Sequence, residues 1–239
     1  MPADLSGDIG YVLHSRRYRE TSLIVEFLTE SRGRVAAVAR GALRRNSVLA
    51  ANLQPLIALR LSLGGRGELM SLVHAEPLAP SPMLAGERLY CLFYVNELVM
   101  RLTATHDPNQ HLFEIYRDAL AALAGESGIE ALLRRFEKQL LDALGFGLQL
   151  DSEAGGDTPL EGEGSYHYDV ERGPLRVGPE STGIRVHGAT LMALATEEEL
   201  PPRALREAKQ LMRHVLNHHL DGRPLTSRKL FEAQPGGKP

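Results

Sequence analysis

The stretch PLIALRLSLGGRGELMSLVHAEPL, residues 55–78, reads as two strands, PLIALRLSL and GELMSLVHAEPL, that meet across GGRG. A glycine-rich tight turn between two strand-like runs is a strong hairpin signal, because glycine takes the positive φ angles such turns need. Three more strand-like segments precede it: DIGYVLHSRR from residue 8, TSLIVEFLT after the turn-like YRE, and GRVAAVAR from the tight ESRG turn. In the last of these, Val35, Ala37 and Ala39 alternate with Arg34, Ala36 and Val38, which suits an extended segment with at least one buried face. Five short strands within residues 8–78 predict a small antiparallel barrel, with the OB barrel among the candidates. Between the third strand and the hairpin lies an acid-free basic loop containing Arg40, Gly41, Arg44, Arg45 and Asn46.

That loop belongs to a wider segregation of charge. The chain of 239 residues carries a net charge of −3, but residues 1–80 hold 10 Arg and no Lys against 7 acids. Residues 81–200 hold 9 bases against 20 acids, and residues 201–239 hold 8 bases against 3 acids. The head and tail are therefore basic and the middle acidic. A basic segment of this kind points to a polyanionic partner or, in the plainer reading, to a solvated face. The length allows one large domain or two modest ones, each able to bury a core. The single cysteine, Cys91, lies in the apolar run LYCLFYV, cannot form an internal disulfide, and implies a reducing compartment. No apolar leader is visible in MPADLSGDIG, and no run approaches the length that spans a bilayer, so a cytoplasmic protein without membrane contact is expected.

After the Pro-rich break APSPM (79–83) the apolar period changes from two to nearly four. ERLYCLFYVNELVMRLT is apolar almost all round and predicts a central buried helix. The next helix is expected to use Asp107 as N-cap, Pro108 at its first position and Gly125 beyond its end. A third opens with Ser127 and Glu130 at capping-box spacing and has the apolar face Ile129, Leu132, Leu133, Phe136, Leu140 and Leu144. Arg134, Arg135 and Lys138 fall toward its other side. Residues 151–184 are rich in glycine, proline and acids, with only YHYDV and PLRVG strand-like, and read as an irregular insertion. The last strong helix, PPRALREAKQLMRHVLNHHL, has the apolar stripe Leu205, Ala208, Leu211, Met212, Val215 and Leu216. Arg206, Lys209 and Arg213 share a separate face of it. The fold class is thus α+β: a barrel domain over residues 1–80 and a helical domain over 81–239 interrupted by the 151–184 insertion.

Enzyme signatures are absent: there is no P-loop, no GxGxxG after a strand and no GxSxG. His214 and His218 form an HxxxH pair on a helix, but no carboxylate accompanies them at a motif spacing, so no metal is expected. Glu161 and Glu163 fit a solvated acidic loop, and Cys91 fits the core. What remains is an arginine-rich barrel with few aromatics, Tyr11, Tyr18 and Phe27, and no tryptophan. Such a surface binds nucleic acid mainly through the phosphate backbone, with strong salt dependence and weak sequence choice.

The blocks VLHSRRYRETSLIVEFLTESRGRVAAVARGAL, LQPL and GGRGEL, then LYCLFYVNELVMRL, ALLRRFEKQLLDALGFGL and GRPLTSRKLF, follow one another in an order that resembles the bacterial RecO family. The resemblance covers nearly the whole chain. It implies an N-terminal five-stranded OB fold, a helical domain with a small insertion, and no enzymatic turnover. It also implies recombination mediation in DNA repair: binding of single- and double-stranded DNA, annealing of complementary strands, and contact with the single-stranded DNA-binding protein SSB and with RecR. Together with RecR, such a protein helps load RecA onto SSB-coated DNA, with RecF and RecA as indirect partners, in the cytoplasm at the nucleoid. An RNA-binding OB protein of translation or decay is the alternative, and an enzyme using the acidic insertion as a metal site is a further rival.

On this basis the expected DNA contacts are Arg16, Arg17, Arg34, Arg40, Arg44, Arg45 and Arg66 on the barrel, with Arg206, Lys209 and Arg213 on the last long helix. The family's SSB contact falls on the LRRFE block. The SSB tail is acidic and ends in an apolar residue with a free carboxylate, so its receptor needs cations beside an apolar groove. Arg134, Arg135 and Lys138 are the expected receptor residues, with Arg134 favoured over Arg135 as the one facing the groove. One departure concerns metal. Many family members carry a four-cysteine zinc site in the insertion, whereas residues 148–185 here contain no cysteine, so a zinc-free branch without cofactors is implied. Tyr166, Tyr168, Leu175 and Val177 are the apolar residues left to anchor the insertion.

Overall fold

In the barrel core, large inward residues of one strand mostly face small ones of its neighbour. In a computed structural model of the protein, which describes residues 7–65, 67–80, 82–126, 128–156, 158–178, 183–197 and 200–232, the first five strands are β1 (Asp8–Tyr18), β2 (Ser22–Thr29), β3 (Gly33–Ala39), β4 (Leu59–Gly64) and β5 (Leu69–Pro77). They form a closed barrel in the order β1-β2-β3-β5-β4. Leu23, Val25 and Phe27 of β2 lie opposite Ala39, Ala37 and Val35 of β3 in antiparallel register, and all six are buried. The alanines leave room for Leu59, Leu61 and Met70 in the same core. Closure rests on two short seams: a parallel one, Ala36–Val38 against Leu69–Ser71, and an antiparallel one, Asp8–Gly10 against Leu59–Leu61. Gly10 leaves room at the second seam for Leu61, whose Cδ1 would lie 2.7 Å from a Cβ there.

A short helix, α1 (Leu49–Asn52), follows the basic loop, and Leu49, Leu53 and Ile57 pack into the barrel core. No periodicity announces it, since four residues are too few to show a helical repeat.

Helices α2 (Glu87–Leu102) and α3 (Gln110–Ala124) pack with the barrel. The described residues up to Gly125, together with those from Leu225 onward, form one unit, and Glu126–Pro224 form a second. The break in periodicity at residue 80 therefore separates strands from helices, while the packing boundary lies farther along. The cause is polar as well as apolar. Asn96 of α2 donates to the Leu13 carbonyl of β1 at 2.9 Å and accepts from the Tyr116 hydroxyl of α3 at 2.7 Å. Asn109, two residues past the expected Asp107, is the N-cap of α3, and its side chain accepts from the Leu112 amide at 2.9 Å. Asp107 instead lends its carbonyl to the approach at Gly33, where a Cβ would collide with it and where φ is +65°.

The chain's last described segment returns to α2. Glu97 accepts from the Thr226 and Ser227 amides at 2.9 and 2.8 Å, which anchors α7 (Arg228–Glu232), and Arg101 lies 3.4 Å away. Burial alone would raise the Glu97 carboxyl, but the two amides and Arg101 outweigh it and hold the group below the usual carboxylate range. A depressed folded value means that the clamp contributes stability above the ordinary carboxylate pKa and loses it as pH falls through the lower folded one. Amide exchange at 225–232, corrected for intrinsic rates, should therefore speed up on acidification. Glu97→Gln should exchange fast at neutral pH already, and equal protection in both proteins would contradict the clamp.

The second unit contains α4 (Ile129–Ala143), α5 (Gly188–Thr196) and α6 (Pro202–His219), with a sheet of order β7-β6-β8. Its strands are β6 (Ser165–Asp169), β7 (Gly173–Arg176) and β8 (Ile184–His187), so the expected irregular insertion holds an ordered sheet. Tyr166 is fully buried and its hydroxyl accepts from the Glu161 amide at 2.9 Å. The ring fits because residues 164 and 188 are glycine: a Cβ at 164 would lie 2.9 Å from it and one at 188 would lie 3.2 Å away. Arg176 bridges Glu153 and Glu161 at 2.9 and 2.7 Å. These contacts, with no thiolate available, hold the insertion. Ser127, half of the expected capping box, lies outside the described residues, and α4 begins after Gly128.

Candidate nucleic-acid interface

The end of β3 turns outward into the basic loop, and the loop is built rather than slack. Ala42 is buried in the barrel core, the Leu43 amide donates to the Thr21 carbonyl at 2.9 Å, and the Arg44 and Ser47 amides close successive turns onto Gly41 and Arg44 at 3.1 and 3.0 Å. With Ala42 inward, Arg40, Arg44 and Arg45 are left exposed. Gly41 has φ +68°, and a Cβ there would meet the Arg44 side chain at 3.2 Å, so Arg44 lies across the glycine.

Facing this loop is the β1–β2 turn. Between them runs a groove of 710 Å³. Tyr18 and Arg19 line one part, Arg40, Gly41 and Arg44 another, and Val38, Leu69 and Met70 supply its apolar lining. Arg19 takes the left-handed φ of +55°, and its guanidinium lies 5.2 Å from the centre of the Tyr18 ring. Leu69 is an exposed apolar residue, and Glu20 is the single acid among the lining residues. A groove with cationic rims, one flat aromatic face and an apolar lining can take phosphates at its edge and a base within it. Sequence reasoning missed Arg19 and Leu69. The signal for both was their position, one in the β1–β2 turn and the other at the first residue after the β4–β5 turn.

The expected DNA residues differ in their surroundings. Arg40 and Arg44 line the groove, while Arg16, Arg17 and Arg45 are exposed beyond its lining; none of the five makes an ion pair with a described residue. Arg34 is not available in this way. Its guanidinium is 3.3 Å from Glu26 and donates to the Thr103 carbonyl at 3.0 Å, while its own carbonyl accepts from the His106 amide at 2.8 Å. Arg34 therefore joins β3 to the α2–α3 loop, unlike the exposed arginines with which it is grouped as an expected DNA contact. Arg66 lies outside the described residues. In the second unit Arg206 and Arg213 are exposed on α6, whereas Lys209 is 3.2 Å from Glu130 and partly neutralised.

The α4 cations also separate. Arg134 is 6% exposed and pairs with Glu137, which is fully buried. The preference for Arg134 as the groove-facing cation is thus reversed: it points inward, and Arg135, with 61% of its side chain exposed, points out. The overlooked signal was Leu141, one of the buried residues of α4, seven positions after Arg134 and so on the same side of the helix. Lys138 lies 3.2 Å from Asp142 and 3.4 Å from Glu197. On α6, the His219 ring stacks on Phe146 at 4.4 Å and meets His218 edge-on at 5.2 Å. Among the described residues no three His, Cys, Asp or Glu side chains gather as metal ligands. No described helix is long and apolar enough to cross a membrane.

Comparison with known proteins places this geometry in a family. Residues 5–81 match the family described as Recombination protein O N terminal, and residues 83–229 match Recombination protein O C terminal. DNA repair protein RecO of Methylococcus capsulatus is 44% identical over 232 residues, covering 97% of this chain and 95% of that protein. That of Nitrosococcus oceani is 46% identical, covering 93% and 91%. That of Stenotrophomonas maltophilia strain K279a is 42% identical, covering 95% and 97%. With an OB barrel ahead of a helical region and both halves of the chain matched in order, the protein belongs to the RecO family of DNA repair proteins.

Proposed function

We propose that the chain is a non-enzymatic recombination mediator. It binds single- and double-stranded DNA through the groove end of the OB barrel, anneals complementary strands, and recruits SSB through α4. With RecR it helps load RecA onto SSB-coated single strands, in the cytoplasm at the nucleoid. The observation that carries this reading is the set of exposed arginines without ion-pair partners among the described residues, Arg16, Arg17, Arg40, Arg44 and Arg45, at one end of a closed barrel and beside an open groove. Guanidinium groups held outward by a buried Ala42 are preorganised for phosphate contact. Arg206 and Arg213 supply a second cationic face on α6, as annealing of two strands would use.

The test is a salt titration. Log affinity falls linearly with log salt, and each lost phosphate contact reduces the slope by about 0.7 for a single strand and about 0.9 for a duplex. Replacing Arg40 and Arg44 together by Ala should weaken binding to all sequences alike and flatten the single-strand slope by up to about 1.4. An unchanged slope in a fluorescence titration would exclude the groove rim from the phosphate path.

For SSB, Arg135 replaces Arg134 as the leading contact. It is the most exposed cation of α4, whose opposite face is apolar, and the acidic tail needs a charge that solvent can reach.

A further inference from the structure

On α4, Arg135, Lys138 and Gln139 stand at i, i+3 and i+4, one face of a helix. All three converge on one carboxylate, and it belongs to the same unit. Gln139 Nε2 lies 3.0 Å from both oxygens of Glu197, Lys138 Nζ lies 3.4 Å from one, and Arg135 Nε lies 3.6 Å from the other. Glu197 is the residue that ends α5, held in the left-handed backbone region at φ 56° and ψ 27°. Residues with a Cβ adopt that conformation rarely. Here it sets the carboxylate over the three donors. Glu197 keeps 32% of its side chain exposed, so water reaches the contact and each ion pair is individually weak.

We propose that Glu197 is a built-in competitor that occupies the α4 receptor until an acidic peptide displaces it. The inference rests on the reading of α4 as that receptor. The chemistry is a like-for-like exchange: one side-chain carboxylate leaves the amide and two cations, and a peptide carboxylate takes its place. The internal carboxylate is tethered, so its effective concentration is high and isolated carboxylates in solution do not compete. A peptide with several acids and an apolar end does compete, because it adds contacts that Glu197 cannot make. The receptor thus rejects weak anions and admits the multivalent one. The cost to the true ligand is the fraction of receptor left open, since apparent affinity scales with the competent population.

The experiment is fluorescence anisotropy with a labelled peptide of four aspartates ending in phenylalanine with a free carboxylate, titrated with the full chain. Glu197→Gln removes the charge and keeps the size. Glu197→Gly also removes it and suits the left-handed backbone, so the turn survives. Both should tighten peptide binding, by about threefold to tenfold if Glu197 fills the site most of the time, and steepen its salt dependence. Arg135→Ala should weaken it. Parent-like affinity in both Glu197 variants, with Arg135→Ala still weakened, overturns the competitor and leaves the receptor standing. If Arg135→Ala binds like the parent as well, both fall.

Discussion

Arg134→Ala is expected to destabilise the protein by about 3–5 kcal/mol, the usual effect of removing one partner from a buried ion pair. The pair with Glu137 is among the most enclosed charge pairs described: Arg134 is 6% exposed and Glu137 is fully buried. Taking away the guanidinium leaves the carboxylate in a medium that solvates it poorly, whereas a surface arginine would change stability by no more than about 0.5 kcal/mol. Glu137→Ala should be comparably harmful. The double replacement Arg134→Met with Glu137→Leu should recover much of the loss, since well-packed apolar groups of similar volume serve as well as a buried pair. Urea denaturation of the four proteins is the measurement. A parent-like midpoint for Arg134→Ala would mean that the side chain is solvated after all. The result also decides how tail-binding data should be read, because a protein that loosens α4 loses peptide binding whether or not Arg134 ever touches the peptide. Arg135→Ala is free of that ambiguity.

The barrel was legible because its signals are local. Alternation at Val35, Ala37 and Ala39, the glycines of the GGRG turn and the ESRG corner each act within a few residues, and a period of two has one structural meaning. The stripe of α6 was legible for the same reason: Ala208, Leu211, Met212, Val215 and Leu216 are all buried as their spacing implies, and Leu205 at its start is half-buried. What escaped depends on partners far away in sequence. Arg34 reads as one more arginine of a basic segment until Thr103, 69 residues later, takes its guanidinium. Glu197 reads as the start of an acid run until α4 is packed against α5. Helix rotation is the intermediate case. Arg134 and Arg135 are adjacent, about 100° apart on the helix, and one buried leucine at 141 decides which of them faces inward. The insertion escaped for a compositional reason: Gly164, which looks like a loop residue, leaves the space into which Tyr166 folds.

Asn96 offers the second large effect, at the seam between barrel and helices. The sequence shows α2 as apolar nearly all round, with Asn96 and Glu97 unexplained in its middle. The structure gives each a long-range partner: Glu97 holds the returning C-terminal segment, and Asn96 holds β1 and α3. Asn96 is 1% exposed, Tyr116 is fully buried, and Leu13 is buried where β1 changes register between Val12 and His14. A carbonyl at such an irregularity loses its ladder partner, and the Asn96 amide supplies one. Burial holds the Tyr116 hydroxyl protonated well above the usual phenol range, with Tyr11 a lesser cause, so it serves Asn96 as a donor at every working pH. Asn96→Leu keeps the volume and strands both the Leu13 carbonyl and the Tyr116 hydroxyl. Each buried unsatisfied group costs about 1–3 kcal/mol, so two of them predict a loss of about 2–6 kcal/mol in urea denaturation. Tyr116→Phe removes one of those groups in advance, so Asn96→Leu should cost less on that background than on the parent, by about 1 kcal/mol or more. Equal costs on the two backgrounds would show that the Tyr116–Asn96 bond contributes nothing.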